Sequence, residues 1–314
     1  MKILVMGAGG VGAYYGAKLK LAGEDVHFCA RGEHLAAIKA RGLTLRGADN
    51  EIAVPVPASD APADFAPYEL ILFCVKSYDT ISAAQQLKGT LAPGGIIMTL
   101  QNGVENEAAL CTIFPRDAVM GGNARVGAEV AAPGVLVHSG YGYIEFGELD
   151  GAETPRALRV AEVFRHAGIL GQLTHDLKTI RWIKLMGNNG TNSVCALSRS
   201  SLGETLSDPG GYWLTQQLML ETVKVGRAEG AKMSPEDAES ALARLTKISA
   251  VDKIRPSTLQ DVERGRRLED DAITGAMIRA AERHGIQVPI TRAMHALLKL
   301  LDQRAGASRG RGLD

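Results

Sequence analysis

Unbroken apolar blocks at residues 1–6, 26–29, 69–75 and 95–100 alternate with stretches in which apolar residues keep a helical period. Such continuous blocks predict strands of a parallel sheet that is covered on both faces. Between them, Ala13, Ala17 and Leu21 stand four apart and predict a helix over residues 11–21, and residues 79–91 can form a crossover helix. Residues 119–130 and 134–146 are rich in Gly and Val and alternate in polarity, which predicts an antiparallel extension of the sheet. After a helix near residues 157–167 and a short strand near 171–174, the strand signals stop. Everything to about residue 301 then reads as helix, with one helix running from about residue 265 to 284. The chain therefore divides into an α/β part (1–174), a helical part (175–303) and a small, basic segment (304–314) expected to be a disordered tail. There is no internal repeat.

The first apolar block turns directly into Gly7-Ala8-Gly9-Gly10-Val11-Gly12, a G-x-G-x-x-G spacing. Alone, that spacing is weak. Set between a strand and an Ala-rich helix, it predicts a dinucleotide loop. Gly7 would permit the tight turn, Gly9 would let the backbone approach a pyrophosphate, and Gly12 would let helix and strand pack closely, with the helix N-terminus facing the phosphates. The expected fold is thus α/β, an N-terminal Rossmann-type dinucleotide-binding domain followed by an all-helical C-terminal domain. The second apolar block ends in Ala30-Arg31-Gly32, where an NAD site would place an Asp or Glu for the ribose hydroxyls. A guanidinium instead suits a 2′-phosphate, because its planar fork pairs bidentately with phosphate oxygens. NADP(H) is the expected cofactor. Arg31 as a solvated loop residue is the competing reading, and Glu33 leaves room for NAD. Two later strand ends carry Val75-Lys76-Ser77 and Leu100-Gln101-Asn102-Gly103. Lys76 is either a solvated lysine or a cofactor contact. Asn102 is either a turn residue, since Asn-Gly favours turns, or an amide that binds the nicotinamide ribose or substrate.

Composition narrows the partners. Thirty-five basic and thirty-five acidic residues balance to zero, so no global field recruits nucleic acid or anionic lipid. No run of about eighteen apolar residues predicts a membrane span, and no basic segment followed by an apolar stretch opens the chain, so the expected location is cytoplasmic. The expected partner is a small molecule, with no nucleic acid and no membrane; a homodimer is a candidate assembly. Cys29, Cys74, Cys111 and Cys195 are scattered without C-x-x-C spacing and the seven histidines are dispersed, so neither a disulfide framework nor a metal site is expected.

The most informative internal segment is Arg181-Trp182-Ile183-Lys184-Leu185-Met186-Gly187-Asn188-Asn189-Gly190-Thr191-Asn192-Ser193. On a helix, Lys184, Asn188 and Asn192 stand at i, i+4 and i+8 and form one slowly drifting polar stripe. Glycine costs about 1 kcal/mol against alanine in a helix, so Gly187 and Gly190 suggest a stretch shaped for close approach. A lysine aimed into a cleft can serve as a proton donor; a lysine that snorkels to solvent is the alternative. Glu269 would share a helical stripe with the apolar Ile273, Ala276 and Ala280, which makes it a carboxylate in need of a partner, whereas Asp270 could pair with Arg266. Ser257 and Gln260 fit a capping box, and a helix terminus there would also attract a substrate carboxylate.

Through these residues the chain resembles the ketopantoate reductase (2-dehydropantoate 2-reductase) family over nearly its whole length. The resemblance rests on Gly7-Ala8-Gly9-Gly10-Val11-Gly12, Gln101-Asn102-Gly103, Trp182-Ile183-Lys184-Leu185, Ser257-Thr258-Leu259-Gln260-Asp261 and Glu269. It implies NADPH-dependent reduction of ketopantoate to pantoate, on the route to pantothenate and coenzyme A. It implies Lys184 as general acid, Glu269 as the group that binds and orients substrate, and Ser257 as a substrate contact. Asn188 and Asn192 would line the substrate pocket and Asn102 would lie by cofactor and substrate. Arg31 and Lys76 would serve the phosphorylated adenosine end of NADPH. Where the family commonly shows S-M-L-Q-D and T-E-I-D-x-I-N-G, this chain has Ser257-Thr258-Leu259-Gln260-Asp261 and Leu268-Glu269-Asp270-Asp271-Ala272-Ile273-Thr274-Gly275, and three departures in this region bear on substrate identity. Asp270 replaces the usual isoleucine, Thr274 the usual asparagine, and Ile254 stands where some members place a substrate-contacting asparagine. Other readings therefore stay open: a paralogous NADP-dependent 2-oxo acid reductase, a hydroxy acid dehydrogenase, or an NADPH sensor without turnover, against which Lys184 and Glu269 argue.

Overall fold

The computed structural model describes residues 1–48, 50–250 and 254–310. By contact the chain forms two compact units: Met1–Gln101 with Glu105–Leu177, and Asn102–Val104 with the chain from Lys178 onward. The first unit runs β1 (Lys2–Met6), α1 (Gly10–Leu21), β2 (Asp25–Cys29), α2 (Gly32–Arg41), β3 (Leu43–Arg46), β4 (Glu51–Val54), β5 (Ala58–Ser59) and β6 (Tyr68–Phe73). It continues with α3 (Thr80–Gln86), β7 (Leu91–Thr99), α4 (Asn106–Cys111), β8 (Val119–Ala132), β9 (Val135–Glu148), α5 (Pro155–His166) and β10 (Leu170–Leu173). The strands lie in the order β4-β3-β9-β8-β7-β6-β1-β2-β5, with β10 on β9.

The apolar blocks are continuous because successive side chains enter two different cores. Ile3 and Val5 of β1 pack with Leu70, Leu72, Ile96 and Met98 on one face, while Leu4 and Met6 pack with Ile71, Phe73 and Ile97 on the other. Strands β7, β6, β1 and β2 pair in parallel, and β8 and β9 form the expected antiparallel extension. The sequence pattern did not reveal α2 or the short strands β3 to β5, each of four residues or fewer in the strand case. So few residues carry too little periodicity to stand out.

The second unit is helical: α6 (Leu177–Ser198), α7 (Leu202–Ser207), α8 (Pro209–Ala228), α9 (Pro235–Ser249), α10 (Ser257–Glu263), a π turn (Asp271–Gly275), α11 (Ala276–Arg283) and α12 (Pro289–Gly310). Trp182, Leu185 and Met186 of α6 pack with Met219 and Val223 of α8, Leu242 of α9, Leu259 of α10, Ile273 and Met277.

Two expectations change here. The single helix from about residue 265 to 284 does not form. Gly265, at φ +60°, ends α10: its N–H bonds to the Val262 carbonyl and that of Arg266 to the Asp261 carbonyl. This is a left-handed C-terminal cap, and it prevents the helix from starting at Gly265. The helix begins again at Asp270, after six non-helical residues (264–269). In addition, α12 extends to Gly310, across most of the expected tail, because a helix once nucleated needs only one further bond per added residue. Residues 311–314 of that segment lie outside the described residues. Among the described residues no helix is long and apolar enough to cross a membrane.

Candidate active site

The glycines of the first loop have separable tasks. Gly7 lies at φ +104°, and a Cβ there would come within 2.9 Å of the backbone at Cys74 and Val75. A Cβ on Gly12 would stand 2.1 Å from the Gly7 carbonyl oxygen and 2.8 Å from the Val5 side chain. Around Gly9, by contrast, a Cβ would meet nothing within 4 Å. Gly9 is the N-cap of α1, no side chain caps that terminus, and its first turn holds no acidic residue. Open space beside exposed N–H groups at a helix N-terminus is what a pyrophosphate requires. Ala8 and Val11, between these glycines, are respectively buried and half-buried. Gly10, to which the spacing assigns no task, would bring a Cβ to 2.2 Å from the Ala128 carbonyl oxygen, so the first turn of α1 packs tightly on β8.

Strand β1 pairs with β2 on one side and β6 on the other. The chain goes from β1 to β2 and only later returns to β6, which makes the end of β1 a topological switch point where α/β sheets bind ligands. Arg31 follows β2 and Lys76 follows β6, so both flank the glycine loop at the carboxyl ends of the parallel strands. The Arg31 guanidinium is exposed and lies 4.0 Å from the carboxylate of Asp79, whose N–H bonds to the Lys76 carbonyl. Gln101, buried, joins two of these strand ends. Its Nε2 donates to the Val75 carbonyl at 3.0 Å and to Thr80 Oγ1 at 2.8 Å, and its Oε1 accepts from Thr99. In Gln101-Asn102-Gly103, then, the glutamine is a structural clamp, a role the motif did not announce.

In the helical unit, Lys184, Asn188 and Asn192 lie on α6, which is unbroken across both glycines, so their i, i+4, i+8 stripe is present as a stripe. Lys184 and Asn188 are half-buried and Asn192 is buried. The Nδ2 of Asn192 is enclosed with no hydrogen-bond partner among the described residues, an arrangement that calls for one. The two glycines differ. Gly190 would drive a Cβ to 2.7 Å from Met219, so it serves close packing, whereas a Cβ on Gly187 would meet nothing within 4 Å. Gly187 stands three residues from Lys184, so this space lies beside the lysine end of the stripe. Asn189, passed over in the sequence, is wholly buried and donates to Thr222 Oγ1 at 3.0 Å and Thr291 Oγ1 at 3.1 Å, fixing α6 to α8 and α12.

The buried Arg181, one turn before Lys184, donates to the Gly103 carbonyl at 2.9 Å. Gly103 itself lies at φ +99°, where a Cβ would stand 2.5 Å from the Ala272 carbonyl oxygen. The Asn-Gly turn is therefore held between α6 and the π turn, which brings Asn102 to the unit that carries Lys184 and Glu269. No motif identified Arg181. Its signal was only that an arginine sits in an otherwise apolar helical phase with Trp182 and Leu185.

Glu269 is buried at 7% exposure, and Ile273, Ala276 and Ala280 are buried as well. Its burial does not come from a helical stripe, because Glu269 precedes the helix. Asp270, expected to pair with Arg266, is instead buried and faces His295 at 3.7 Å, while Arg266 lies 3.9 Å from Asp261. Burial raises the Asp270 pKa and lowers that of His295. The Ser257–Gln260 capping box is also absent. Pro256 takes the N-cap position in extended conformation, which makes the exposed Ser257 the first helical residue, and Gln260 donates to the Arg255 carbonyl. A capping box does occur at Ser201 and Glu204.

The sequence profile of the family described as ketopantoate reductase PanE/ApbA matches residues 3–151, and that of its C-terminal part matches residues 176–302. A 2-dehydropantoate 2-reductase of Archaeoglobus fulgidus is 35% identical over 95% of this chain and 97% of its own. The crystal structure of a PanE/ApbA family ketopantoate reductase from Ralstonia eutropha JMP134 is 34% identical and superposes with a TM-score of 0.89, covering 98% of this chain and 100% of that one. The fold also matches a ternary structure of D-mandelate dehydrogenase with NADH and anilino(oxo)acetate, at TM-score 0.90 and 21% identity over 98% of this chain and all of that one.

Proposed function

The chain belongs to the ketopantoate reductase family, and from that premise we propose that it reduces the C2 carbonyl of ketopantoate to pantoate with NADPH. The observation that carries this reading is the Lys184–Asn188–Asn192 stripe on α6, with open space at Gly187 next to Lys184 and an enclosed, unpartnered amide at Asn192. When bound, NADPH supplies the hydride to C2. The open cradle at Gly9 and the uncapped start of α1 suit its pyrophosphate, and Arg31 with Lys76 suits a 2′-phosphate at the adenosine end.

As charge develops on the C2 oxygen, Lys184 donates a proton to it, which removes the alkoxide that dominates the barrier. Asn188 and Asn192 orient the 2-oxo acid, and Asn102, held by Arg181 and the π turn, contacts substrate or the nicotinamide ribose. Glu269 accepts a hydrogen bond from a substrate hydroxyl, and Ser257, at the start of α10, holds the carboxylate.

The fold alone does not choose the acid, as the D-mandelate dehydrogenase likeness illustrates. The three departures from the family pattern are taken up inside the protein. Thr274 bonds to Asp270 and His295, Asp270 faces His295, and Ile254 packs against the helical core. None of them needs a different substrate to account for it, which favours ketopantoate.

The test is a panel of 2-oxo acids with NADPH and NADH, followed by nicotinamide absorbance. The highest kcat/KM should belong to ketopantoate with NADPH. A better acid would move the chain to a paralogous reductase, turnover only of a hydroxy acid would make it a dehydrogenase, and NADPH binding without any turnover would make it a sensor.

A further inference from the structure

Glu269 stands just before the helix that starts at Asp270, its carbonyl accepting from the Ala272 N–H at 3.2 Å, and the backbone on both sides of it is tied down from α12. On one side the Leu268 N–H donates to Asp302 Oδ1 at 3.1 Å. On the other, Thr274 Oγ1 donates to the Asp270 carbonyl at 2.8 Å, and the same hydroxyl oxygen lies 2.8 Å from His295 Nδ1. A threonine hydroxyl has a single proton. A carbonyl can only accept, so that proton goes to Asp270, and the second contact is a hydrogen bond when His295 donates from Nδ1. The imidazole is thereby held as its Nδ1–H tautomer, with the Asp270 carboxylate 3.7 Å from the same nitrogen. Between the two arms, Leu298 of α12 packs with Leu268 and with Ala196 of α6 in one small buried cluster.

All three α12 residues, His295, Leu298 and Asp302, thus act on the segment around Glu269. We propose that α12 is a positioning clamp for Glu269, with Asp302 anchoring the N–H of the residue before it and the Thr274–His295 pair anchoring the carbonyl of the residue after it. The inference rests on the reading of Glu269 as a substrate ligand. A carboxylate that must meet a hydroxyl within hydrogen-bond reach needs its backbone fixed to a fraction of an ångström, and Glu269 stands just outside the helix, tied to it through the Ala272 N–H. The clamp also explains why two departures from the family pattern occur together: Asp270 and Thr274 both face His295.

The experiment is a double-mutant cycle on steady-state kinetics. Thr274→Val removes the hydroxyl at nearly constant volume, Thr274→Ser retains it, and Asp302→Ala releases the other arm. Thr274→Val and Asp302→Ala should each raise the KM for ketopantoate by about fivefold or more, with kcat and NADPH affinity within about twofold of wild type. Thr274→Ser should restore the wild-type KM. In a Glu269→Gln background, Thr274→Val should change KM by less than about twofold, because the group it positions is already lost. Should Thr274→Val not fold, Asp302→Ala carries the same cycle with Glu269→Gln. Equal KM effects in the two backgrounds, or no effect of either arm in folded protein, would overturn the clamp while leaving Glu269 as a ligand. An unchanged KM in Glu269→Gln alone would overturn the substrate-ligand reading and the clamp with it.

Discussion

Two stretches of this chain carry glycines close to proposed chemistry, and they use them differently. In the β1–α1 loop the proposed binding element is the backbone itself. Three glycines are forced, Gly7 by a positive φ with crowding and Gly10 and Gly12 by crowding alone, and the fourth, Gly9, faces open space. In α6 the proposed binding element is a set of side chains. The helix continues through both glycines, Gly190 is crowded by Met219, and Gly187 faces open space beside the Lys184 stripe. Each stretch therefore has one glycine whose missing Cβ leaves room rather than avoiding a collision. In these two stretches the crowded glycines report packing, whereas the open ones, Gly9 and Gly187, lie beside the groups proposed to bind.

The largest test of this contrast is Lys184→Ala. It should lower kcat by roughly 10²–10⁴-fold, the usual worth of a positioned acid, while NADPH affinity measured by fluorescence titration stays put. The loss of rate with rising pH that a general acid imposes should vanish in this variant. Retained turnover would make the stripe structural. Next come the paired loop variants. Gly12→Val should destabilise the protein by about 1–3 kcal/mol or more through overpacking, read as a lower Tm. Gly9→Val should leave Tm unchanged yet weaken NADPH binding by more than about tenfold, or about 1.4 kcal/mol. If both variants lose stability alike, the open space at Gly9 is not a ligand site.

Arg31→Ala should be milder, raising the KM for NADPH by about tenfold and leaving NADH almost unaffected, since only the 2′-phosphate uses the guanidinium fork. An equal loss for both cofactors would remove that assignment. Smallest is the pair in α6. Gly187→Ala should raise stability by up to about 1 kcal/mol while reducing kcat/KM for ketopantoate. Gly190→Ala should lower stability as Met219 is displaced. A gain of stability in both would erase the distinction between open and crowded glycines in this helix.

Much of the first unit was legible because its signals are local. Ile3, Leu4, Val5 and Met6 are all buried since alternate side chains enter opposite cores, and that demand writes an unbroken apolar block into the sequence. The stripe of Lys184, Asn188 and Asn192 was legible for the same reason, because a helix converts spacing into a shared face. The region from Asp261 to Gly275 was not. Its periodicity predicted one helix, but a left-handed cap at Gly265, a π turn and bonds from Asp302 and His295 arrange it otherwise.

By itself, the sequence determined the class of fold, the nucleotide loop, the order of sheet and helices and the polar stripe on α6. Those follow from period, steric demand at glycine and hydrophobic burial, which act between residues close in the chain. Only the tertiary structure decided that Asn189 locks helices while Asn188 does not, and that Arg181 and Ala272 hold the Asn102 turn. It also decided that Asp270 turns to His295 rather than to Arg266. Each of these depends on hydrogen bonds or packing between residues tens of positions apart. Such partners are chosen by the direction in which a side chain leaves its own helix and by what the folded chain brings to meet it.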